Sequence, residues 1–346
     1  MRQYVSPRPP PSVGGLPFVR PGDPGFKMGT TARPLRYVLA LLLNAALSVG
    51  VFSQQAGAPP VVTTGAGGVV LHVTLTRGAA GGYASGVDKR SFVVLDEKAP
   101  QEITLFQDGA VPASIGILLE TSERLNLDYR AKGKTLPEMM AEGLSEFSVM
   151  GSQGNDYFVM GFGERPQLLL DWTRDLASAE SAVASVRQKG GAGALYDACF
   201  AALDKLAQGK SRKRVLLVIS GGPDNKSRHK FNELLRRLNE TDALVYVVGA
   251  GDFHGDMQWR SEAARAVIAT GGRARFPFDA MTVKDTFAQL ALELQRQYLI
   301  GFEPAGGAPD GKFHRLEVRL KPVGNTEKEL KGLHVRGREG YVAMSR

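Results

Sequence analysis

The sequence predicts an α/β fold: a doubly wound, mostly parallel sheet inserted in a small antiparallel β-sandwich built from both of its flanks. Three observations predict it. From residue 111 to 297, short apolar strands alternate with amphipathic helices, the pattern of a parallel sheet covered on both faces. On either side, apolar residues recur with a period of two, as in strands with one buried face. Each flank alone has too few strands to be stable, so the economical arrangement pairs them with each other.

The predicted divisions are a leader over 1–58, N-terminal sandwich strands over 61–110, the α/β domain over 111–297 and C-terminal sandwich strands over 298–346. Residues 1–27 are rich in Pro and Gly, lack apolar periodicity and cannot bury a core. Arg33 and Arg36 then flank Tyr37–Phe52, a mostly apolar run of 16 residues followed by small ones. That is the layout of a secretory signal peptide, and the run is short of the roughly 20 residues a membrane span needs. Cleavage after Ser53 fits, Ala56-Gly57-Ala58 also matches ahead of an unfavourable Pro59, and Met28 is an alternative start. The expected location is therefore exported, in the periplasm, the cell envelope or outside the cell, with an uncleaved N-terminal anchor as the alternative. Residues 1–53 carry six basic side chains and one acid, so removing them takes the chain from +8 to +3. The excess positive charge belongs largely to the leader, and +3 makes no case for nucleic acid as a partner.

Along the flanks, "GVVLHVTLTR", "SFVVLDEKAPQEITLFQDG", "QYLIGFEP", "KFHRLEVRLKP" and "GLHVRGREGYVAM" read as strands, with turn signals at Gly306-Gly307 and Asp310-Gly311. In the centre, "SIGILLE" is a strand buried on both faces, followed by a helix with Thr135 as N-cap and Glu138 three residues on. "DYFVMGFG" is a strand, and "QLLLDW" an antiparallel edge after a tight turn at Glu164-Arg165-Pro166. Helices over "DLASAESAVASVRQ" and "ALYDACFAALDKLAQ" lead to strand "KRVLLVIS". Helix "HKFNELLRRLNE" puts Phe231, Leu234, Leu235 and Leu238 on one face. Strand "ALVYVVGAG", helix "MQWRSEAARAVIATGG", the weak strand "RARFPF" and helix "TVKDTFAQLALELQRQ", with Thr282 and Asp285 at its start, complete the unit. The one cysteine, Cys199, excludes an intramolecular disulfide. It falls with Tyr196, Phe200 and Leu203 on a helical stripe, which reads as a buried core thiol.

The central segment resembles a von Willebrand factor type A domain. The pieces "SFVVLDEKAPQEITLF", "GALYDACFAAL", "VLLVISGGPDNKS" and "QYLIGFEPAGGAPDGKFHRLEVRL…HVRGREGYVA" make residues 69–344 similar to exported acidobacterial proteins that place this domain between strand-rich flanks. The resemblance implies a Rossmann-like sheet and a metal-ion-dependent adhesion site on three loops at the carboxyl ends of the strands. Such a site needs about six oxygens around Mg²⁺. Carried onto this sequence, Glu120 stands at the first aspartate, Ser122 at the first serine and Arg124 at the second serine. Gly193 stands at the threonine and Gly221 at the third-loop aspartate, with Asp224 nearby. Two glycines and an arginine cannot complete the octahedron, so the expectation is a degenerate site, no cofactor, and an Arg124–Glu120 pair where the ion would sit. Arg124 pointing into solvent is the alternative.

The function read from this is an exported, non-enzymatic interaction or adhesion-like module whose partner is another envelope or extracellular protein. It would be met on the rim around Glu120–Arg124, Gly191–Gly193, Gly221–Asp224 and Gly251–His254. The alternative is a Mg- or Mn-dependent adhesin that recruits Asp224 and Asp252. A hydrolase is the remote reading, because no G-x-S-x-G elbow, Walker loop, H-E-x-x-H or Cys/His pairing occurs. Asp252, His254 and Asp256 form a second metal candidate, against the plainer reading of a solvated loop. Gly249, Gly251 and Gly255 have the wrong spacing for a dinucleotide fingerprint. His72, His314 and His334 lie in the flanks, where convergence is open. "GKSRKR" over 209–214 reads as a solvated turn. Asn225 and Asn239 open glycosylation-type triplets.

Overall fold

The computed structural model describes residues 68–78, 82–122, 125, 135–147, 154–187, 190–250, 256–277, 280–304 and 310–343. The predicted leader lies outside them.

The α/β unit is built on β6 (Ala113–Glu120), β7 (Asp156–Phe162), β8 (Pro166–Thr173), β9 (Lys213–Ser220), β10 (Leu244–Gly249) and β11 (Ala274–Arg275). Their order in the sheet is β11-β10-β9-β6-β7-β8, parallel except for β8, which turns back on β7 as the predicted antiparallel edge. All eight residues of β6 are buried, which is why the strand is apolar throughout rather than alternating. At its centre Gly116 admits the Phe158 ring of β7, which lies 2.4 Å from where a Cβ would stand.

Helices α1 (Leu136–Leu144), α2 (Leu176–Ala184) and α6 (Ala280–Gln295) cover one face of this sheet. Helices α3 (Leu195–Leu206), α4 (Phe231–Asn239) and α5 (Met257–Thr270) cover the other. α1 starts with the expected capping box: Glu138 N–H donates to the Thr135 hydroxyl, and the Glu138 carboxylate accepts the Thr135 N–H. α5 ends at Gly271 in the left-handed region, φ 86°, where a side chain would be strained. Three helices depart from expectation. α2 stops at Ala184, short of the predicted Gln188. α6 begins at Ala280, so Thr282 lies inside its first turn. On α3 the buried stripe is Leu195, Ala198, Cys199, Ala202, Leu203 and Leu206. Tyr196 and Phe200 are rotated toward the helix edge, where a hydroxyl and an aromatic face find other partners.

The sandwich has two sheets. One contains β1 (Val69–Arg77), β2 (Gly82–Ala84), β5 (Ile103–Asp108), β12 (Tyr298–Phe302) and β14 (Leu333–Arg336). The other contains β3 (Phe92–Asp96), β4 (Ala99–Gln101), β13 (Phe313–Leu320) and β15 (Gly340–Val342). In both, strands from before and after the α/β unit are neighbours: β1 and β5 flank β12, and β13 pairs with β3. A further helical turn, α7 (Glu327–Leu330), follows β13.

The period-two reading fails on β1, where seven of nine residues are buried. Leu71, Val73 and Leu75 enter the sandwich core with Phe92, Val94, Tyr298 and Leu316. The alternate residues Val70, His72 and Thr74 are also buried, because that face of the sheet meets the α/β unit.

This seam is polar. Glu293, fully buried on α6, accepts from Tyr246 of β10 at 2.5 Å, from Tyr83 of β2 at 2.9 Å and from Arg336 of β14. Arg273 stands 3.6 Å from its other oxygen. Gln297 donates to Thr74 and to Tyr246, and Arg336 also donates to the Gly271 and Gly272 carbonyls that end α5. Arg338 caps the far end of α4 through the Leu238, Asn239 and Thr241 carbonyls. Burial would raise the Glu293 carboxyl, but Arg336, the Tyr246 and Arg336 hydrogen bonds and Arg273 more than offset it and hold it below its ordinary range.

The "GKSRKR" run is not a solvated turn. Lys213 opens β9, is 1% exposed, and donates through Nζ to the Leu294 carbonyl at 2.5 Å near the end of α6. Arg214 pairs with Asp242 at 2.8 Å. Burial takes the Lys213 ammonium down to about 7, against the attraction of Glu293. The histidines do not converge. His72 is buried at the seam and held neutral, its pKa down to about 3 through burial, Lys213 and Arg338. His314 of β13 lies in the other sheet between Asp96 and Asp310, and His334, exposed on β14, is paired in register with Thr76 of β1.

Candidate functional site

The carboxyl ends of β6, β9 and β10 and the first turns of α3 and α5 form the rim. Glu120 ends β6 and is fully buried. Its Oε1 accepts the Ser122 hydroxyl at 2.5 Å, and its Oε2 accepts the Ser220 hydroxyl and the Gly221 N–H, both at 2.8 Å. The extra methylene relative to aspartate lets the carboxylate span from β6 to the end of the neighbouring β9. Ser122 is buried beside it, and Thr121 N–H is fixed by the Phe162 carbonyl of β7 at 2.7 Å. Both carboxylate oxygens therefore face protein donors.

Gly193 and Asp224 belong to a second cluster. Gly193 donates its N–H to the Asn225 side-chain oxygen at 2.9 Å and accepts the Asn225 N–H at 3.2 Å. Asp224 accepts the Tyr196 N–H at 3.1 Å, the Ser227 N–H at 3.1 Å and the Ser227 hydroxyl at 2.5 Å. The N-cap residue of α3 is Ala194, which has no capping side chain. Asp224 and Ser227 supply that function from the loop after β9, Ser227 accepting the Asp197 N–H at 3.0 Å. Tyr196 reaches Glu262 of α5 at 2.6 Å.

Asp256 is taken by its own helix: it caps α5, accepting the Trp259 N–H at 2.8 Å. Arg124, Gly251, Asp252 and His254 lie outside the described residues, so the expected Arg124–Glu120 pair lies outside them as well. Among the described residues no cluster of three or more His, Cys, Asp or Glu side chains is arranged to hold a metal ion. Cys199 sits in the core with its thiol pushed up to about 12 by burial and by Asp224, which keeps it unreactive.

Sequence reasoning missed four residues here. Ser220 was legible as a hydroxyl at a strand end before a Gly pair. In the sequence Asn225 stands out only as the start of a glycosylation-type triplet. Asp197 and His229 form a pair, with Nδ1 2.7 Å from the carboxylate and the imidazole stacked on Phe200 at 4.0 Å. Nothing in their spacing announces that contact.

A six-stranded sheet, parallel but for one edge, with three helices on each face among the described residues and this rim at the strand ends defines the class. Residues 116–223 match the von Willebrand factor type A domain family, and the chain carries such a domain. Solved structures similar to it include the conserved hypothetical protein BatB from Bacteroides thetaiotaomicron, 15% identical, covering 52% of this chain and 96% of that one, TM-score 0.41. A von Willebrand factor type A protein from Catenulispora acidiphila is 14% identical, covering 79% of this chain and 73% of that one, TM-score 0.42. Proximal thread matrix protein 1 from the mussel byssus, with a zinc-occupied MIDAS motif, is 14% identical, covering 58% of this chain and 50% of that one, TM-score 0.45. No curated protein matches.

Proposed function

We propose that the chain is an exported, non-enzymatic protein-binding module that uses the rim of its von Willebrand type A domain without a metal ion. The observation that carries this reading is the Glu120 carboxylate, whose oxygens are taken by Ser122, Ser220 and Gly221. Octahedral Mg²⁺ needs oxygens that are free to turn toward it. Gly193 and Gly221 offer no side-chain oxygen, and Asp224 is turned onto backbone and serine donors. The set does not fit a divalent cation. The alternative of a Mg- or Mn-dependent adhesin loses Asp224 to the start of α3 for the same reason. The signal-like leader supports export, and among the described residues no helix is long and apolar enough to cross a membrane. The partner is read as an envelope or extracellular protein.

Capture from an envelope extract, with the chain as bait, tests this. Binding is expected to persist in chelator and to be lost on Met257→Glu, which places a charge on a residue 77% exposed at the rim end of α5. Absence of capture, or capture that chelator abolishes, would contradict the proposal.

A further inference from the structure

The loop after β9 continues past Asp224 as Asn225-Lys226-Ser227-Arg228-His229-Lys230 and enters α4. Its backbone is held from below. Asp224 accepts the Ser227 N–H, while Asp197 on α3 accepts the N–H groups of Arg228 at 3.1 Å and His229 at 3.0 Å. His229 lies flat on Phe200, and Glu233 reaches back to the Lys230 N–H at 2.7 Å. The acids of this region are thus turned inward onto main-chain donors. Lys226, Arg228 and Lys230 are exposed. Among the described residues, none of the three side chains has an acidic partner within ion-pair distance.

We infer that this preorganised cationic loop, Lys226-Arg228-Lys230, is the part of the rim that engages the partner, and that it takes an acidic segment of a protein chain. The inference rests on the protein-binding reading of the rim. An ordered backbone with unpaired cations loses little conformational freedom on binding, and its charge steers an anionic segment toward the strand ends. Exposed Met257, at the same end of the sheet, adds an apolar contact. A nucleic acid fits less well. The cations span five consecutive residues rather than a long stripe, and among the described residues no free aromatic face accompanies them for base stacking. Phe200 is covered by His229, and the Phe231 ring carries Arg265 at 4.8 Å.

The test uses the whole chain and fluorescence anisotropy. The probes are a glutamate-rich peptide of about a dozen residues and a single-stranded oligonucleotide of similar length. The peptide is expected to bind with an affinity that falls as salt rises, unchanged by chelator, and to bind the Lys226→Ser, Arg228→Ser, Lys230→Ser variant about tenfold more weakly. Among the described residues these exposed side chains make no hydrogen bond or ion pair, so the variant should unfold at the wild-type temperature. No peptide binding, equal affinity for the variant, or tighter binding of the oligonucleotide would overturn the assignment. Envelope capture separates the two levels. Capture retained by the triple variant sinks the cationic loop alone, whereas wild-type chain that captures nothing sinks the rim reading beneath it.

Discussion

Glu293→Ala is expected to destabilise the chain by about 3–5 kcal/mol, the cost of removing one partner of a buried ionic cluster. The single carboxylate collects Tyr246, Tyr83 and Arg336 through hydrogen bonds and faces Arg273. Without it the guanidinium of Arg336, itself pinning the end of α5, is left in a buried seam with an uncompensated charge. Urea unfolding measures the effect, and Glu293→Gln should lose less because the amide oxygen still accepts. The pH dependence has a definite sign. The folded carboxyl lies below its ordinary range, so its contribution is fully present above the unfolded value near 4.3 and is lost as pH falls through the lower folded value. The acid limb of the stability profile should therefore be shallower in Glu293→Ala. An alanine variant with wild-type stability would mean that the seam holds by apolar contact alone.

Glu120→Ala is expected to cost about 2–4 kcal/mol in metal-free buffer, since it removes the acceptor shared by two buried hydroxyls and a buried N–H. Glu120→Asp should also lose stability, because the shorter side chain cannot reach both Ser122 and the end of β9. The direction discriminates. A carboxylate kept for a cation would be poorly satisfied without it, and its removal in chelator would be neutral or stabilising. Chemical denaturation of wild type, Glu120→Ala and Glu120→Asp, each in chelator, gives the answer.

Much of the architecture was legible because it depends on patterns within a few residues. β6 reads as an unbroken apolar run, α1 carries its capping box in "TLPE", and Gly271-Gly272 marks the end of α5. The insertion of one unit between two half-sandwiches was legible from strand counting. The seam was not. Lys213, Glu293, Arg336 and Arg338 look like ordinary surface charges, and their partners lie up to 210 residues away in the chain, as between Tyr83 and Glu293. The same holds at the rim. Substitution at Gly193 and Gly221 was visible from the motif, but not that the Gly221 N–H would turn to Glu120, nor that Asp224 would stand in for a missing cap on α3. Those roles follow from which loops the sheet brings together.

Calorimetric titration of Mg²⁺ and Mn²⁺ into the chelator-stripped chain tests the central claim most directly. No saturable heat is predicted, and the unfolding temperature should be the same with either ion as without. Saturable binding in the micromolar range that Ser122→Ala abolishes would contradict it, because Ser122 would then be a ligand to an ion rather than a donor to Glu120.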